Sequence, residues 1–155
     1  MSAKLARFIL TENLNRLAKW IRLLGYDAVL YKSISFHNLK RIAAKDRRII
    51  LTRDRKHLIY AETDKIILIK STEHLKQLKE IEDVLVLREE LFFTRCILCN
   101  KLLYAISGAK IKHLVPEYIY KNHSNFKVCR KCGRIYWRGT HYQKMLKTVK
   151  EVFNN

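Results

Sequence analysis

Hydrophobic and polar positions fall into two periods over the first ninety residues. Unbroken apolar runs occur at LARFIL (5–10), DAVLY (27–31), RIILT (48–52) and KIILI (65–69). Runs this short and rich in β-branched residues read as strands buried on both faces. Between them, apolar residues recur every third or fourth position, the period of a helix with one buried face. Leu14, Leu17, Ala18, Ile21 and Leu24 mark the first helix, with Thr11 as its expected N-cap and Gly25 as its stop. Asn15, Arg16, Lys19 and Arg22 fall on its opposite face. Ser35 is placed to cap a second helix with Leu39, Ile42 and Ala43 inward, and Asp54 opens a short helix reaching about Tyr60. Thr72 and Glu73 start another, carrying Leu75, Leu78 and Ile81.

Strands alternating with helices predict an α/β domain of three layers, with a four-stranded parallel sheet between helices and right-handed crossovers. Chemistry in such a sheet gathers outside the carboxyl ends of its strands. Those ends carry Thr11 and Glu12, Ser33 to His37, Thr52 to Arg55, and Ser71 and Thr72. No glycine-rich phosphate loop follows any strand, which argues against a nucleotide cofactor.

The pattern changes after residue 91. All four cysteines lie beyond it, as Cys96 and Cys99 in RCILCN and Cys129 and Cys132 in CRKCGRIYW. Two residues between thiols let one turn aim both sulfurs at a point, and two such turns form a closed tetrahedral site for a structural Zn²⁺. Two disulfides would need an oxidising compartment, and a second Cys-x-x-Cys pair weakens the reading as a redox motif. Residues 102–106 and 134–138 are the expected strands of a small β-rich ribbon, residues 107–127 a basic and aromatic insert. A terminal helix follows Gly139 with Tyr142, Met145, Leu146, Val149 and Phe153 on one face. The division expected is an α/β domain over 1–91 and a zinc ribbon with insert and terminal helix over 92–155.

Charge sharpens this division. The chain of 155 residues has 32 Lys and Arg against 14 Asp and Glu, a net of +18. Residues 92–155 contain 13 of the bases and only 2 of the acids, so the ribbon stays basic even beside a tetrathiolate zinc. Such a field attracts phosphates and implies a polyanionic partner. No apolar run reaches the ~20 residues of a membrane span, and no leader pattern opens the chain, so a cytoplasmic protein without a membrane partner is expected.

Four blocks, FILTENLNRLAKWIRLLGYD (8–27), RRIILTRDR (47–55), RCILCN (95–100) and CRKCGRIYWRGTH (129–141), together resemble the Mut-seven C-terminal RNase family, in order and spacing. That resemblance implies a PIN-like nuclease fold followed by a zinc ribbon, acting on or binding to RNA. It carries the family's Thr-Arg-Asp block onto Thr52, Arg53 and Asp54. It also implies an Asp where this chain has Thr11, ahead of Glu12, Asn13 and Leu14. PIN-like chemistry uses carboxylates to hold Mg²⁺ or Mn²⁺ for phosphodiester hydrolysis. The catalytic candidates are therefore Asp54 and Glu12, and the neutral hydroxyl of Thr11 lowers the expected metal affinity. Asp54 has a second reading as the N-cap of the next helix.

The candidate RNA contacts are Arg16, Lys19 and Arg22 on the first helix and Arg53 and Arg55 after the third strand. In the second part they are Lys110, Lys112, Arg130, Lys131, Arg134, Trp137, Arg138 and His141. Two functions follow from these expectations. One is a metal-dependent endoribonuclease with a PIN-like cleft at Glu12 and Asp54, its activity depending on whether the site survives Thr11 where an Asp is expected. The other is a non-catalytic RNA-binding component or assembly factor of a ribonucleoprotein such as the ribosome. In both, the cysteine cluster anchors an RNA-holding module beside the cleft.

Overall fold

In the computed structural model, which describes residues 5–61 and 65–154, the apolar runs become strands of one sheet. They are β1 (Arg7–Thr11), β2 (Asp27–Tyr31), β3 (Ile49–Thr52) and β4 (Ile66–Leu68). All pairings are parallel and the order is β2-β1-β3-β4. The central β1 has Phe8, Ile9 and Leu10 fully buried, which is why its run is unbroken. The described residues of this part fall in a unit spanning 1–100 by their contacts, and those that follow in a second unit from 101 onward.

The crossovers are the helices expected from the 3–4 spacing. Leu14 lies in a 3-10 turn (Glu12–Leu14) that leads into α1 (Asn15–Leu23). Leu17, Ala18 and Ile21 of α1 are fully buried. Thr11 does not cap this helix. Its hydroxyl turns aside and donates to Asn13 Oδ1 at 2.9 Å. Gly25 does end it, at φ +92°, and a Cβ there would sit 2.3 Å from the Leu91 carbonyl oxygen. No other residue type fits that combination of dihedral and close approach. α2 (Phe36–Asp46) is capped by Ser35, whose hydroxyl accepts from Asn38 N–H, and buries Leu39 and Ala43 against Ile9 and Ile50. α3 (His74–Lys79) buries Leu78.

The amino ends of the strands carry an ionic network that tied no signal in the periodicity. Asp27, at the start of β2, accepts two hydrogen bonds from Arg48 at 2.8 and 3.1 Å and one from Arg7 at 3.1 Å. Asn100 Nδ2 donates to the same carboxylate at 2.7 Å, while Asn100 Oδ1 accepts from the Ala28 N–H at 3.0 Å. Asp46, the last residue of α2, meets Arg48 at 3.4 Å.

The second unit has a three-stranded antiparallel sheet in the order β5 (Tyr104–Ala105), β6 (Lys127–Val128), β7 (Ile135–Tyr136). The strands are shorter than the runs 102–106 and 134–138. The insert before β6 forms α4 (Gly108–Ile111) and α5 (Glu117–Asn122), with Ile111 and Phe126 buried. α6 (Thr140–Phe153) is the expected terminal helix and buries Val149. No helix among the described residues is long and apolar enough to cross a membrane.

Candidate functional site

The order β2-β1-β3-β4 reverses direction between β1 and β3, because the chain leaves β1 to one side and returns on the other. A parallel sheet opens a crevice at such a reversal, outside the carboxyl ends of the two strands. Those ends are Thr11 with Glu12, and Thr52 with Arg53 and Asp54. The topology therefore puts the two sequence blocks into one place, though they are forty residues apart.

One oxygen of each carboxylate there accepts from a backbone N–H. Glu12 Oε2 accepts from the Ser33 N–H at 3.2 Å. Asp54 Oδ1 accepts from the Lys56 N–H at 2.9 Å and so caps the 3-10 helix Arg55–Tyr60. The capping reading of Asp54 thus holds, and the side chain remains 53% exposed. Asp54's other oxygen, Oδ2, faces His57 Nε2 at 3.9 Å. His57 Nδ1 lies 2.7 Å from the hydroxyl of the fully buried Thr52, which also accepts from the Asp54 N–H at 3.1 Å. The imidazole stacks on Phe36, centroids 3.4 Å apart and rings parallel within 1°. Burial pulls the His57 pKa below its ordinary value, and the Asp54 charge only partly restores it. A neutral imidazole accepting the Thr52 hydroxyl proton at Nδ1 satisfies both partners. Arg53 Nε is buried without a hydrogen-bond partner.

His57 was absent from the sequence-based candidates. Its signal was the i,i+3 spacing from Asp54 in TRDRKH, on a helix that Asp54 itself starts. Nothing local announced the stack on Phe36, which comes from another helix.

The cleft holds Glu12 and Asp54 as its carboxylates, with the neutral Thr11 beside them. Thr11 offers a hydroxyl engaged with Asn13, and among the described residues the only convergent group of three or more His, Cys, Asp or Glu is the cysteine set. Asp27, the remaining carboxylate near the first strand pair, sits at the opposite end of the sheet in its arginine network.

The four cysteines do fit a zinc ion. They are reduced thiols, and the sulfurs of Cys96, Cys99, Cys129 and Cys132 all lie within 4.8 Å of one another. A tetrahedral Zn²⁺ with Zn–S bonds of about 2.3 Å needs sulfurs about 3.8 Å apart. The two turns are built alike. Asn100 N–H donates to the Cys96 carbonyl at 2.9 Å and Gly133 N–H to the Cys129 carbonyl at 2.8 Å. Both residues have positive φ, +61° and +73°, which bends the chain back toward the sulfurs. The Cys99 N–H points at Cys96 Sγ at 3.3 Å. With four thiolates as donors such an ion has no open position, so it would stabilise the fold and activate no water.

Two expectations need correction here. Arg22 is not on an exposed stripe of α1. It is 6% exposed and gives its hydrogen bonds to backbone carbonyls. The first knuckle is not beside the cleft either. Asn100 binds it to Asp27 and Ala28 at the amino end of β2, whereas Thr11 and Asp54 stand at the carboxyl ends, about 13 Å away along a five-residue strand.

The other proposed contacts divide by exposure. Arg16, Arg55, Lys110, Lys112, Arg130, Lys131, Arg134, Arg138 and His141 are exposed, while Lys19, Arg53 and Trp137 are half-buried. In the second unit the Arg130 guanidinium lies 3.8 Å over the Tyr104 ring. Trp137 packs on Gly139 and stands 6.5 Å from His123.

Comparison with known proteins adds one finding. The family model described as "Mut7-C RNAse domain" matches residues 6–149. No curated protein and no solved structure matches the chain.

Proposed function

The chain belongs to the Mut7-C RNAse domain family, and on that premise we propose that it holds RNA through its basic surface while cleaving it weakly or not at all. The observation that carries this reading is the state of the cleft. Thr11 contributes a hydroxyl already donated to Asn13, and Glu12 and Asp54 each accept from a backbone N–H. With one carboxylate fewer, a Mg²⁺ or Mn²⁺ ion finds too little charge to offset its dehydration. The net charge of +18 and the exposed Arg130, Lys131, Arg134 and Arg138 favour the phosphate backbone of RNA as partner. Tyr104 beneath Arg130 offers a base a flat stacking partner. A protein of this kind would serve in a ribonucleoprotein such as the ribosome, where grip matters and cutting does not.

The competing reading is a working endoribonuclease with Asp54 and Glu12 as catalytic residues. It is favoured by the intact Thr52-Arg53-Asp54 block and by the exposure of Asp54. One experiment separates the two. A structured RNA is incubated with the protein, Thr11→Asp, Asp54→Ala and the double variant, in Mg²⁺ or Mn²⁺, with binding followed by anisotropy across salt concentrations. The expectation is tight, steeply salt-dependent binding by all four and cleavage appearing with Thr11→Asp alone. Cutting by the unaltered protein that Asp54→Ala abolishes would overturn the weak-cleavage reading. Loss of RNA binding at physiological salt would overturn the RNA-holding one.

A further inference from the structure

Arg22 has no reason to be buried from the standpoint of α1 alone, since the spacing places it with Arg16 and Lys19 rather than among the apolar positions. Its head group reaches backbone carbonyls of β2 and of the first knuckle. Nε donates to the Ala28 carbonyl at 2.8 Å, and Nη1 donates to both Ile97 and Leu98 carbonyls, at 2.9 and 3.0 Å. Ile97 and Leu98 are the two residues between Cys96 and Cys99. The guanidinium therefore clamps the turn that sets the spacing of the two sulfurs. Burial draws its pKa down, and the charges of Cys96 and Cys99 as thiolates oppose that shift, with Asp27 adding a smaller pull in the same direction. The cation also lies in the last turn of α1, where the carbonyl end of a helix favours positive charge.

We propose that Arg22 is the positioning residue of the zinc site: it fixes the Cys96–Cys99 turn and offsets part of the negative charge that four thiolates leave on a bound Zn²⁺. A tetrathiolate zinc carries a net charge of about −2, which is costly beside a protein interior unless a cation answers it. Arg22 is buried, held by three carbonyls and close to two of the thiolates, so it answers that charge without leaving the helix. Lysine cannot replace it in full, because one ammonium on a flexible stem does not span the Ala28 carbonyl and the two knuckle carbonyls together. The consequence reaches the fold. Metal loading should tighten the seam between α1 and β2, because the same guanidinium holds Ala28.

This inference rests on the four cysteines binding zinc and is independent of what the cleft does to RNA. The test uses the full chain, with Arg22→Met and Arg22→Lys. Zinc affinity is read by competition with a chromogenic chelator, and the site is also loaded with Co²⁺ to record its thiolate-to-metal absorption. The wild type is expected to hold one equivalent of zinc. Arg22→Met should bind about 10- to 100-fold more weakly, with the Co²⁺ charge-transfer bands at lower energy because the thiolates lose a neighbouring cation. Arg22→Lys should fall between. Circular dichroism reports whether each variant folds, and if Arg22→Met does not, Arg22→Lys decides. Wild-type affinity and unchanged Co²⁺ bands in a folded variant would overturn the proposal. A wild type that takes up no zinc would instead overturn the metal reading itself, and Arg22's role would fall with it.

Discussion

Replacing Asp27 by asparagine tests the network at the amino ends of the strands with almost no change of shape. The carboxylate is 19% exposed and faces Arg48, which is 6% exposed. Asp27→Asn keeps one acceptor for Arg48 or Asn100 but removes the charge that answers a buried guanidinium. Stripping one partner from a buried ion pair costs about 3–5 kcal/mol. Two features put this case at or below the low end. Asp46 remains 3.4 Å from Arg48, and the lost contact with the more exposed Arg7 is worth at most about 1 kcal/mol. The expected loss is about 2–3 kcal/mol, read as a urea midpoint about 1–2 M lower with an unchanged slope. The measurement is urea unfolding of the zinc-loaded protein at pH 7. Acid adds a second arm. Burial alone would raise the Asp27 pKa, but the hydrogen bonds from Arg48, Asn100 and Arg7 and the Arg48 charge outweigh it and hold the group well below the usual carboxylate range. The folded state therefore binds fewer protons than the unfolded one through that range. Asp27's contribution is present in full above the ordinary carboxylate pKa and disappears as the pH falls toward the depressed value. The stability gap between wild type and Asp27→Asn should close on acidification. A difference under about 0.5 kcal/mol at pH 7, or a gap that widens in acid, would refute the assignment of Asp27 as the anchor of this network.

Four further outcomes follow from the geometry. Gly25→Ala should destabilise by about 2 kcal/mol or more, since a Cβ would meet the Leu91 carbonyl at 2.3 Å at a φ of +92°; a melting temperature within a degree of wild type would contradict this. Cys129→Ala should leave the protein without its equivalent of tightly held zinc, and full retention by metal analysis would sink the four-thiolate site. Asp54→Ala should cost about 1 kcal/mol through the lost cap on the Lys56 N–H, seen by thermal unfolding and separable from any effect on RNA cleavage. The His57 imidazole should titrate below a free histidine by NMR, because burial disfavours its cation; its contribution is then kept at neutral pH and lost as the pH drops through the lowered value, whereas a raised midpoint would contradict the neutral stack on Phe36.

The strands, the crossover helices and the two cysteine pairs were legible from residue order because each depends on local rules. Period decides which face is buried, and a Cys-x-x-Cys turn can be recognised from four residues. Thr11 was read from the family resemblance as a neutral side chain where a carboxylate is expected. What its hydroxyl does was not read: it bonds Asn13 rather than capping a helix, because the chain enters a 3-10 turn first. Arg22 shows the limit most clearly. On a helical wheel it belongs with Arg16 and Lys19, yet the Ile97 and Leu98 carbonyls, seventy-five and seventy-six residues away, draw it inward.

Sequence by itself therefore determined the alternation of elements, the excess of positive charge and a candidate donor set for zinc. Tertiary structure decided which charged groups are available. It committed Asp27 to Arg48, Arg22 to the first knuckle and His57 to Phe36, and it set that knuckle at the end of the sheet away from the cleft. The physical reason is that burying a charge or a polar ring is favourable only when its partners arrive, and those partners come from strands and turns that only the folded chain brings together.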